Sequence, residues 1–491
     1  MHLSIIFRVL GLLLMLFSTT MLIPLVVGLV ADDTTVEGFL VALCITFVSG
    51  LAIWAPTRSS RQELRIRDGF LITSLFWTVL GLFGALPFAL EKTLDLSVTE
   101  AIFESISGLT TTGATVIVGL DQLPASILIY RQLLQWLGGI GIIVVAVAVL
   151  PMLGIGGMQL YRTEIPGPSK ESTKLTPRIT ETAKALFLVY LSLTTACALA
   201  YYLAGMSAFD SIAHAFSTVA IGGFSTHDAS MAWFENNTIL LICSLFMFIS
   251  AINFGLHYAA WGHNLTWGKK NFSLSAYLTD PEARFYSGTL LVCIVITVSF
   301  LIFSDIIAPG DAFIHGLFQA ISITTTTGFA SENFAAWPTF LPVMLIMFSF
   351  MGGCVGSTGG GIKAMRIMLI AKQGLRELEQ LVHPRAVIPL KTGKRRVEAA
   401  VVSAVWSFFA VYMFAFLGLT LLLMATGLDF LSAYSAIAAS LNNLGPGLGD
   451  VAANYAEINE AAKGILCFAM LLGRLEVFTL LVLFTPVFWR I

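Results

Sequence analysis

Four short segments of the chain combine glycine with threonine, asparagine or apolar residues, and they recur at a long, nearly constant spacing. They read T-T-T-G-A, A-I-G-G-F, T-T-T-G-F and N-N-L-G-P-G, and their glycines are separated by 110, 105 and 117 residues. Backbone carbonyls and threonine hydroxyls can replace the water oxygens around a cation. Glycine allows the positive φ that turns successive carbonyls to one side. Because a fixed long period indicates a repeat architecture, four such segments predict an ion pore around a single axis.

Twelve residues of these segments are the predicted cation ligands. None of them is Asp or Glu, which favours a filter for monovalent over divalent cations. Taken singly, each glycine could instead serve close helix packing. In the second segment either Gly222 or Gly223 can correspond to Gly113, and the sequence does not separate them. The predicted ligands are Thr111, Thr112, Gly113, Ile221, Gly222, Gly223, Thr326, Thr327, Gly328, Asn443, Leu444 and Gly445.

The composition is that of an integral membrane protein. The 491 residues have a mean hydropathy of +0.86, and only 11% are charged, against about 25% in soluble domains. Four amphipathic segments, at 97–110 and near 208–219, 311–323 and 430–441, are too short to cross a bilayer and are predicted pore helices, whose dipoles point their negative ends at the filter. About ten longer apolar runs are long enough to span: 5–30, 38–56, 70–90, 127–150, 184–205, 237–260, 286–307, 338–370, 399–426 and 462–488.

These elements predict an all-α membrane protein with two N-terminal helices and four helix–pore helix–helix repeats around a central pore. The first apolar run is kept as a helix because it is longer than a signal-peptide core and no A-x-A-like site follows. The predicted units are 1–68 (two N-terminal helices), 69–165 (repeat 1), 166–265 (repeat 2), 266–380 (repeat 3, with a broken helix) and 381–491 (repeat 4).

Charged residues divide between alternate loops. Short loops rich in Lys and Arg are cytoplasmic by the positive-inside rule, which places both termini inside and the acidic loops, such as the one holding Asp228, around an outer vestibule that would attract cations. The six cysteines lie in apolar spans and are interpreted as small buried residues. The basic loops contain Arg58, Arg61, Arg65 and Arg67; Arg162, Lys170, Lys174, Arg178 and Lys184; Lys269, Lys270 and Arg284; and nine Lys and Arg residues between 363 and 396.

A second glycine-rich segment interrupts the run at 338–370 and is the predicted gate. Interrupted spanning helices are where transport proteins place moving or binding elements. The alternative is a packing kink in one helix; a nucleotide-binding loop is excluded because G-x-x-x-x-G-K-[ST] is absent. The predicted gate residues are Gly352, Gly353, Gly356, Gly359, Gly360, Gly361 and Arg474.

Arg474 is included because an ionisable residue at membrane depth is a functional candidate. A positive charge facing the pore would repel a monovalent cation by about 4 kcal/mol at a separation of about 4 Å and an effective dielectric constant near 20. We expect Arg474 to form part of the barrier and to bind carbonyls of the glycine-rich segment. The alternative is a purely structural contact, although a pair with Glu476 in the same helix is disfavoured because residues two apart do not face each other.

Other polar residues give weaker signals. Arg131 and Gln132 are expected near the outer interface, where snorkelling explains Arg131. Proton coupling would enlist buried ionisable groups, and Glu104 and His214 are expected to lie behind the filter instead. No assembled acid–base or metal set indicates an enzyme. The coupling candidates are Glu104, Asp210, His214, His315 and Glu476.

Several long motifs resemble the superfamily of K⁺ transporters that includes the Trk and Ktr membrane subunits and the plant high-affinity K⁺ transporters, with the TrkH/TrkG group most similar. They are Y-R-Q-L-L-Q-W-L-G-G-I-G-I-I-V (130–144), G-G-C-V-G-S-T-G-G-G-I-K (352–363), N-N-L-G-P-G (442–447) and G-R-L-E-V-F-T (473–479). The resemblance covers essentially the whole chain. It implies K⁺ uptake across a bacterial inner membrane, filter glycines at Gly113, Gly223, Gly328 and Gly445, an intramembrane gating loop at 352–361, and Arg474 near that loop.

The same resemblance implies a homodimer in the lipid bilayer and control by a cytosolic TrkA-type nucleotide-binding ring, for which the basic segment 363–398 is the expected docking surface. Gly113 favours K⁺ over Na⁺, because relatives that prefer Na⁺ commonly carry serine there. The alternative function is a symporter that couples K⁺ to H⁺ or Na⁺. Neither a covalently bound cofactor nor a nucleic-acid partner is expected, and K⁺ is the transported ion.

Overall fold

A computed structural model describes residues 2–59, 65–148, 175–261, 274–338, 340–393 and 395–490. Much of the predicted basic surface, namely Arg61, Arg162, Lys170, Lys174, Lys269, Lys270 and Lys394, lies outside these residues. In the described part, the only strands are β1 (Lys391–Thr392) and β2 (Arg395–Arg396), which form a short antiparallel hairpin. The predicted all-α class is confirmed.

The helices follow the predicted order of two N-terminal helices and then four groups, each with a short helix between longer ones. The first N-terminal span contains α1 (Leu3–Thr20) and α2 (Leu22–Ala31), and the second is α3 (Val36–Thr57). The first group contains α4 (Ile66–Gly84), α5 (Leu86–Leu90), α6 (Val98–Leu109) and α7 (Ala125–Ala148). The second contains α8 (Leu175–Leu203), α9 (Ala208–Ala220), α10 (Asn237–Ser250) and α11 (Phe254–Ala260).

The third group contains α12 (Ser275–Thr279), α13 (Pro281–Phe303), α14 (Pro309–Thr324), α15 (Phe340–Ser349) and α16 (Ala364–Val382). The fourth contains α17 (Ala399–Met424), α18 (Phe430–Leu441), α19 (Glu460–Arg474), α20 (Phe478–Leu481) and α21 (Pro486–Trp489). Short 3₁₀ helices occur at Leu120–Gln122, Ser230–Phe234, Phe334–Ala336, Gly449–Val451 and Val482–Phe484. The boundaries of the predicted units stay a prediction.

The four short central helices, α6, α9, α14 and α18, are the predicted pore helices. Their starts are fixed by local sequence: Ser97 and Ser207 accept hydrogen bonds from the first turns of α6 and α9, and Asp429 does so for α18. Helix α14 begins with Pro309, which is already constrained to a helical φ. Each of these helices has between 12 and 16 residues, too few to cross a hydrocarbon core that needs about 20.

Six segments of the described chain are long and apolar enough to span a membrane, and two further candidates are broken. The chain is therefore a multi-pass membrane protein. Two of the predicted spans, 237–260 and 462–488, are each bent at a break: α10 meets α11 at 95°, and α19 meets the helical turns at Phe478–Phe484 at 109°. The predicted break in 338–370 is present, since α15 ends at Ser349 and α16 begins at Ala364.

The cysteine prediction holds for five residues. Cys197, Cys243, Cys293, Cys354 and Cys467 are buried, and all six thiols are free. Cys44 is exposed on α3, because that helix packs one face against α1 and leaves most of its remaining surface outside the protein. An apolar span alone does not reveal which of its faces is covered.

Candidate cation-binding site

The four pore helices end in the same backbone motif. One residue at the end of each helix adopts a left-handed conformation, and the N–H of the next residue donates to the carbonyl five residues back: Thr112 to Ser107, Gly222 to Ser217, Thr327 to Ser322 and Leu444 to Ala439. This is a Schellman motif. Glycine usually takes the left-handed position, but the positive φ values here, between 54° and 67°, belong to Thr111, Ile221, Thr326 and Asn443.

Non-glycine residues in this conformation are strained, β-branched ones most of all. Such strain persists only where the surrounding structure over-determines the backbone, and it concentrates at functional sites. The side chains of Thr111, Ile221, Thr326 and Asn443 are buried. The ends of all four pore helices are therefore held by tertiary packing in a conformation that their own sequence disfavours.

The glycines two residues further on close the four segments into a ring. Gly113, Gly223, Gly328 and Gly445 have φ between 78° and 100°. A Cβ placed on each would overlap a carbonyl oxygen of the next segment: Gly222 for Gly113, Thr327 for Gly223, Leu444 for Gly328, and Thr112 for Gly445. The contacts run in chain order and return to the first segment. We call residues 111–113, 221–223, 326–328 and 443–445 the four-loop ring.

The ring shows which glycine of the second segment, Gly222 or Gly223, corresponds to Gly113. Gly223 shares the positive φ and the neighbouring-carbonyl contact of the other three glycines. Gly222 has no positive φ, and its carbonyl oxygen is the one that lies against Gly113. Gly223 is therefore the counterpart of Gly113, and Gly222 is the counterpart of Thr112.

Side chains also tie the ring together. The hydroxyls of Thr110 and Thr112 lie 2.8 Å apart, and those of Thr325 and Thr327 lie 2.7 Å apart. Asn443 Nδ2 donates to Thr112 Oγ1 at 2.9 Å and so joins the fourth segment to the first. The predicted ligand residues are thus brought into one closed arrangement of carbonyl and hydroxyl oxygens, a chemistry suited to a dehydrated monovalent cation.

Two residues that the sequence did not single out, Gln135 and Tyr455, form hydrogen bonds to the ring from neighbouring segments. Gln135 on α7 donates from Nε2 to Gly222 O at 2.6 Å and accepts from Phe224 N at 3.1 Å. Tyr455 donates to Gly445 O at 2.8 Å. Gln135 could have been recognised from the sequence, because it lies in an otherwise apolar span and buried amides are expected to be hydrogen-bonded.

Arg131 corrects a sequence prediction. It does not snorkel to an interface: it is 1% exposed, and its Nε donates to Glu104 Oε1 at 2.8 Å. Its Nη1 donates to Ser225 O at 2.9 Å, and the guanidinium lies 4.2 Å from the centre of the Phe224 ring. Gln132, expected at the same interface, is fully buried and accepts a hydrogen bond from the Ser217 hydroxyl. Both residues face the pore helices because α7 packs against α6 and α9.

A cavity of about 460 Å³ adjoins one side of the ring. All four ring glycines line it, together with residues that follow them in sequence and the acidic side chains of Asp228 and Glu332. Negative charge at such a mouth would raise the local concentration of cations. We call this cavity the vestibule.

His227 lies at the vestibule and joins the loops that follow the first two ring segments. Its Nδ1 lies 2.5 Å from Asp121 Oδ1, and its ring stacks on Trp233 with centroids 4.3 Å apart. Burial alone would lower the pKa of His227, but hydrogen bonds and charge from Asp210 and Asp121 outweigh it, so that this pKa is raised.

The other side of the ring is covered by residues 350–363, which we call the inner loop. Gly360 N donates to Thr326 Oγ1 at 2.8 Å, and Gly361 N donates to Asn442 O at 3.1 Å. Thr358 Oγ1 donates to Val219 O at 3.0 Å. The inner loop thus contacts the ends of two pore helices, at Val219 and Asn442, and the ring itself at Thr326.

The six predicted gate glycines all lie in the inner loop. Gly360 shows why glycine is needed, because a Cβ there would overlap Asn442 O. The alternative of a packing kink in one helix is wrong, since irregular backbone fills the whole stretch between α15 and α16. Positive φ occurs at Gly352, Gly356 and Gly361, and close backbone or side-chain approach at Gly353 and Gly359.

Arg474 reaches the inner loop from the end of α19. Its Nη1 donates to Thr358 O and its Nη2 to Gly138 O, both at 3.0 Å, and it is 4% exposed. Glu476 binds Arg366 instead, at 2.6 Å. The expected carbonyl contact is therefore present. A second cation lies beside it, because Lys363 Nζ donates to Gly359 O.

The two broken helices are interrupted where they meet the inner loop. Cys354 N donates to Ala251 O at 2.8 Å, and Phe254 N donates to Gly356 O at 3.1 Å. The break after α19 contains Glu476 and Val477, both with positive φ. Backbone groups freed by a break within a membrane must find internal partners, and the inner loop supplies them at the first break.

The comparisons with known proteins agree along the full length. Residues 36–491 match the family model described as TrkH, cation transport protein. The chain is 55% identical over 491 residues to the Trk system potassium uptake protein TrkH of Halomonas elongata and 52% identical over 491 residues to that of Escherichia coli K12, covering 100% of each chain in both pairs.

A solved structure shows the same fold. The chain is similar to the crystal structure of the potassium transporter TrkH from Vibrio parahaemolyticus, with a TM-score of 0.92 and 52% sequence identity. The match covers 100% of both chains.

Proposed function

Since the chain belongs to the TrkH family of cation transport proteins, which are not enzymes, we propose that it takes up K⁺ across the bacterial inner membrane through the four-loop ring. K⁺ is the transported ion. The observation that carries the proposal is the closed cycle of glycine-to-carbonyl contacts from Gly113 to Gly222, Gly223 to Thr327, Gly328 to Leu444 and Gly445 to Thr112.

The ring has the chemistry of a K⁺ filter. A cation that enters it loses hydration oxygens and gains carbonyl and hydroxyl oxygens from four sides. The twelve ring residues include no carboxylate, so the site offers dipoles without net charge and favours a monovalent ion. Acidic residues stand further out, at the vestibule, where they attract ions without binding them in the ring.

The inner loop is the proposed gate. It lies against the residues that precede the ring segments, and Arg474 and Lys363 add two cationic groups hydrogen-bonded to its carbonyls. A positive charge beside the conduction path raises the energy of K⁺ there. Opening requires that the inner loop leave Thr326 and Asn442 and that Arg474 release Thr358.

A conductive pathway is favoured over coupling to H⁺ by the partners of the candidate acids. Glu104 pairs with Arg131 and Glu476 pairs with Arg366. His214 lies between Asp210 O and Ser225 Oγ, at 2.9 Å from each. Protonating either glutamate would break a buried or partly buried ion pair, which is costly.

The remaining parts of the proposal concern assembly. We propose a homodimer whose basic loops and termini face the cytoplasm, with a TrkA-type nucleotide-binding ring docked on residues 363–398. Helix α16 supports this, because it leads directly from the inner loop to the basic β1–β2 hairpin. Movement of that segment by a partner would be transmitted to the inner loop through the continuous backbone.

Uptake of ⁸⁶Rb⁺ into liposomes that contain the purified protein tests the function. K⁺ and Na⁺ are added as competitors, and pH and Na⁺ gradients are imposed independently; liposomes without protein are the control. We expect strong competition by K⁺, weak competition by Na⁺, and uptake that follows the Rb⁺ gradient alone. Uptake that requires a H⁺ or Na⁺ gradient would replace the conductive proposal with symport, and equal competition by Na⁺ would contradict K⁺ selectivity.

A further inference from the structure

One position of the pore helix differs in charge among the four repeats. Nine residues before each ring glycine stand Glu104, His214, Gln319 and Ala436. The first three are fully buried polar side chains that contact the chain just beyond the ring. Glu104 Oε2 accepts from Val116 N at 3.0 Å, His214 Nε2 lies 2.9 Å from Ser225 Oγ, and Gln319 Oε1 accepts from Ser331 N at 3.4 Å.

In the fourth repeat Ser435, the residue before Ala436, makes the corresponding contact. Ser435 Oγ accepts from Leu448 N at 2.8 Å. All four repeats therefore use a buried pore-helix side chain to hold the segment that follows the ring glycine. Among these four side chains, only Glu104 takes part in an ion pair with an arginine.

The ion pair joins two repeats. Glu104 binds the chain after Gly113 through Val116 N and Thr115 Oγ1. Arg131 binds both sides: Nη2 donates to Thr115 Oγ1 at 3.2 Å in repeat 1, and Nη1 donates to Ser225 O at 2.9 Å in repeat 2. The planar guanidinium presents its donors in a fixed geometry, so it sets the separation between these two segments.

The same two segments meet inside the ring, where Gly113 lies against Gly222 O. A change in their separation would change the size and flexibility of the oxygen cage, which is what distinguishes K⁺ from Na⁺ in a carbonyl filter. Because both charges are buried, removal of either one leaves the other without compensation, and the two segments must shift to solvate it.

We propose that Glu104 and Arg131 are positioning residues that set the K⁺ over Na⁺ preference by holding the first and second ring segments at a fixed separation. The inference rests on the proposed K⁺ uptake. The ion pair lies where the first ring segment meets the second, and it contacts none of the twelve predicted ligand residues directly.

A second ion pair, partly buried, joins the same helix to α19 and provides a control. Lys463 Nζ lies 2.7 Å from Glu100 Oε1 and also donates to Ala456 O at 2.9 Å. Glu100 lies one helical turn before Glu104 in α6, toward the end away from the ring. Glu100→Gln therefore removes the same charge from the same helix without touching the segments after Gly113 or Gly223.

The test compares Glu104→Gln, Arg131→Lys and Thr115→Val with Glu100→Gln in the ⁸⁶Rb⁺ assay, with uptake expressed per amount of monodisperse protein. We expect the first three to reduce the ratio of Na⁺ to K⁺ concentrations needed for half-inhibition by about tenfold, and Glu100→Gln to leave it unchanged. Thr115→Val removes only a hydroxyl, so it remains informative if a charge variant does not fold.

A second measurement separates positioning from general stability. Ligands that bind the folded state raise its melting temperature, so the difference between thermal unfolding in K⁺ and in Na⁺ reports selectivity without transport. We expect this difference to shrink in Glu104→Gln, Arg131→Lys and Thr115→Val, and to stay unchanged in Glu100→Gln. If the wild type itself shows no K⁺ preference, the proposed function fails; if it does and all three variants keep it, or Glu100→Gln loses it equally, the inference is overturned.

Discussion

The four-loop ring and the inner loop are both glycine-rich backbone inside a membrane protein, but they are held in different ways. The ring is fixed by Schellman motifs and by side chains that reach it from surrounding helices, such as Gln135 and Tyr455. The inner loop is held mainly by its own backbone N–H groups and by charged side chains at its edges.

This difference indicates which region can move. Ring conformation depends on contacts among the four segments and with side chains of the surrounding helices. The inner loop adds few hydrogen bonds to these, among them that of Gly360 to Thr326 in the ring and that of Gly361 to Asn442 beside it. It can therefore leave while the ring keeps its shape, which is what a gate next to a selectivity filter requires.

The largest expected effect tests the rigidity of the ring. Gly113 and Gly119 have nearly equal φ values, 82° and 80°, but a Cβ on Gly113 would overlap Gly222 O, whereas nothing lies within 4 Å of one on Gly119. Both alanine variants share a backbone strain of about 1–2 kcal/mol. We expect Gly113→Ala to reduce ⁸⁶Rb⁺ uptake per folded protein by more than about tenfold, and Gly119→Ala to retain it. An equal loss of uptake in both variants would show that backbone strain, and not the contact between ring segments, causes the loss.

The next prediction concerns the edge of the inner loop. Arg474→Met removes the hydrogen bonds to Thr358 O and Gly138 O. Hydrogen bonds from charged groups contribute roughly 1.5–3 kcal/mol each, so we expect uptake without any partner protein to rise by about tenfold or more. Arg376→Met, further along helix α16, is the control. Unchanged or reduced uptake in Arg474→Met, with a normal melting temperature, would argue against a barrier role.

A smaller increase is expected from loss of the Glu282 charge, because this carboxylate holds the inner loop to the first turn of α16. Glu282 Oε1 accepts from Val355 N at 2.8 Å and from Met365 N at 3.1 Å. Glutamine keeps an acceptor but loses the charge, and charge-assisted hydrogen bonds are about twice as strong as neutral ones. We expect Glu282→Gln to increase uptake several-fold, less than Arg474→Met. Glu379, which is exposed on α16, supplies the control variant Glu379→Gln. A larger increase in uptake from Glu379→Gln than from Glu282→Gln would contradict the role of Glu282 as an anchor.

The smallest effect is a pH dependence at the vestibule. The raised pKa of His227 means that its protonated form stabilises the folded state; this contribution is complete below the unfolded pKa of about 6.5 and disappears as pH rises through the folded pKa. His227→Asn should therefore lower the melting temperature more at pH 6 than at pH 9. The exposed His383 gives the control His383→Asn, and a loss that is independent of pH would contradict the ion-pair explanation.

Much of this arrangement could be predicted from local patterns. The four pore helices, the order of the repeats and the interruption after Ser349 follow from apolar run length, caps and glycine clusters. The breaks at 251–253 and 475–477 were missed because the sequences A-I-N and L-E-V contain no glycine or proline. The first break meets the inner loop in space at Ala251, and the second lies beside α16, where Glu476 binds Arg366; local sequence reveals neither contact.

The membrane class, the four-fold recurrence and the residue types available for binding a cation follow from hydropathy and spacing, because both are properties of consecutive residues. The folded chain was needed to show that Gly223 and not Gly222 matches Gly113, that Arg131 is buried against Glu104, and that Arg474 binds Thr358. Each of these depends on a partner between 27 and 116 residues away. A buried charge or carbonyl must be satisfied somewhere, but the partner is chosen by packing.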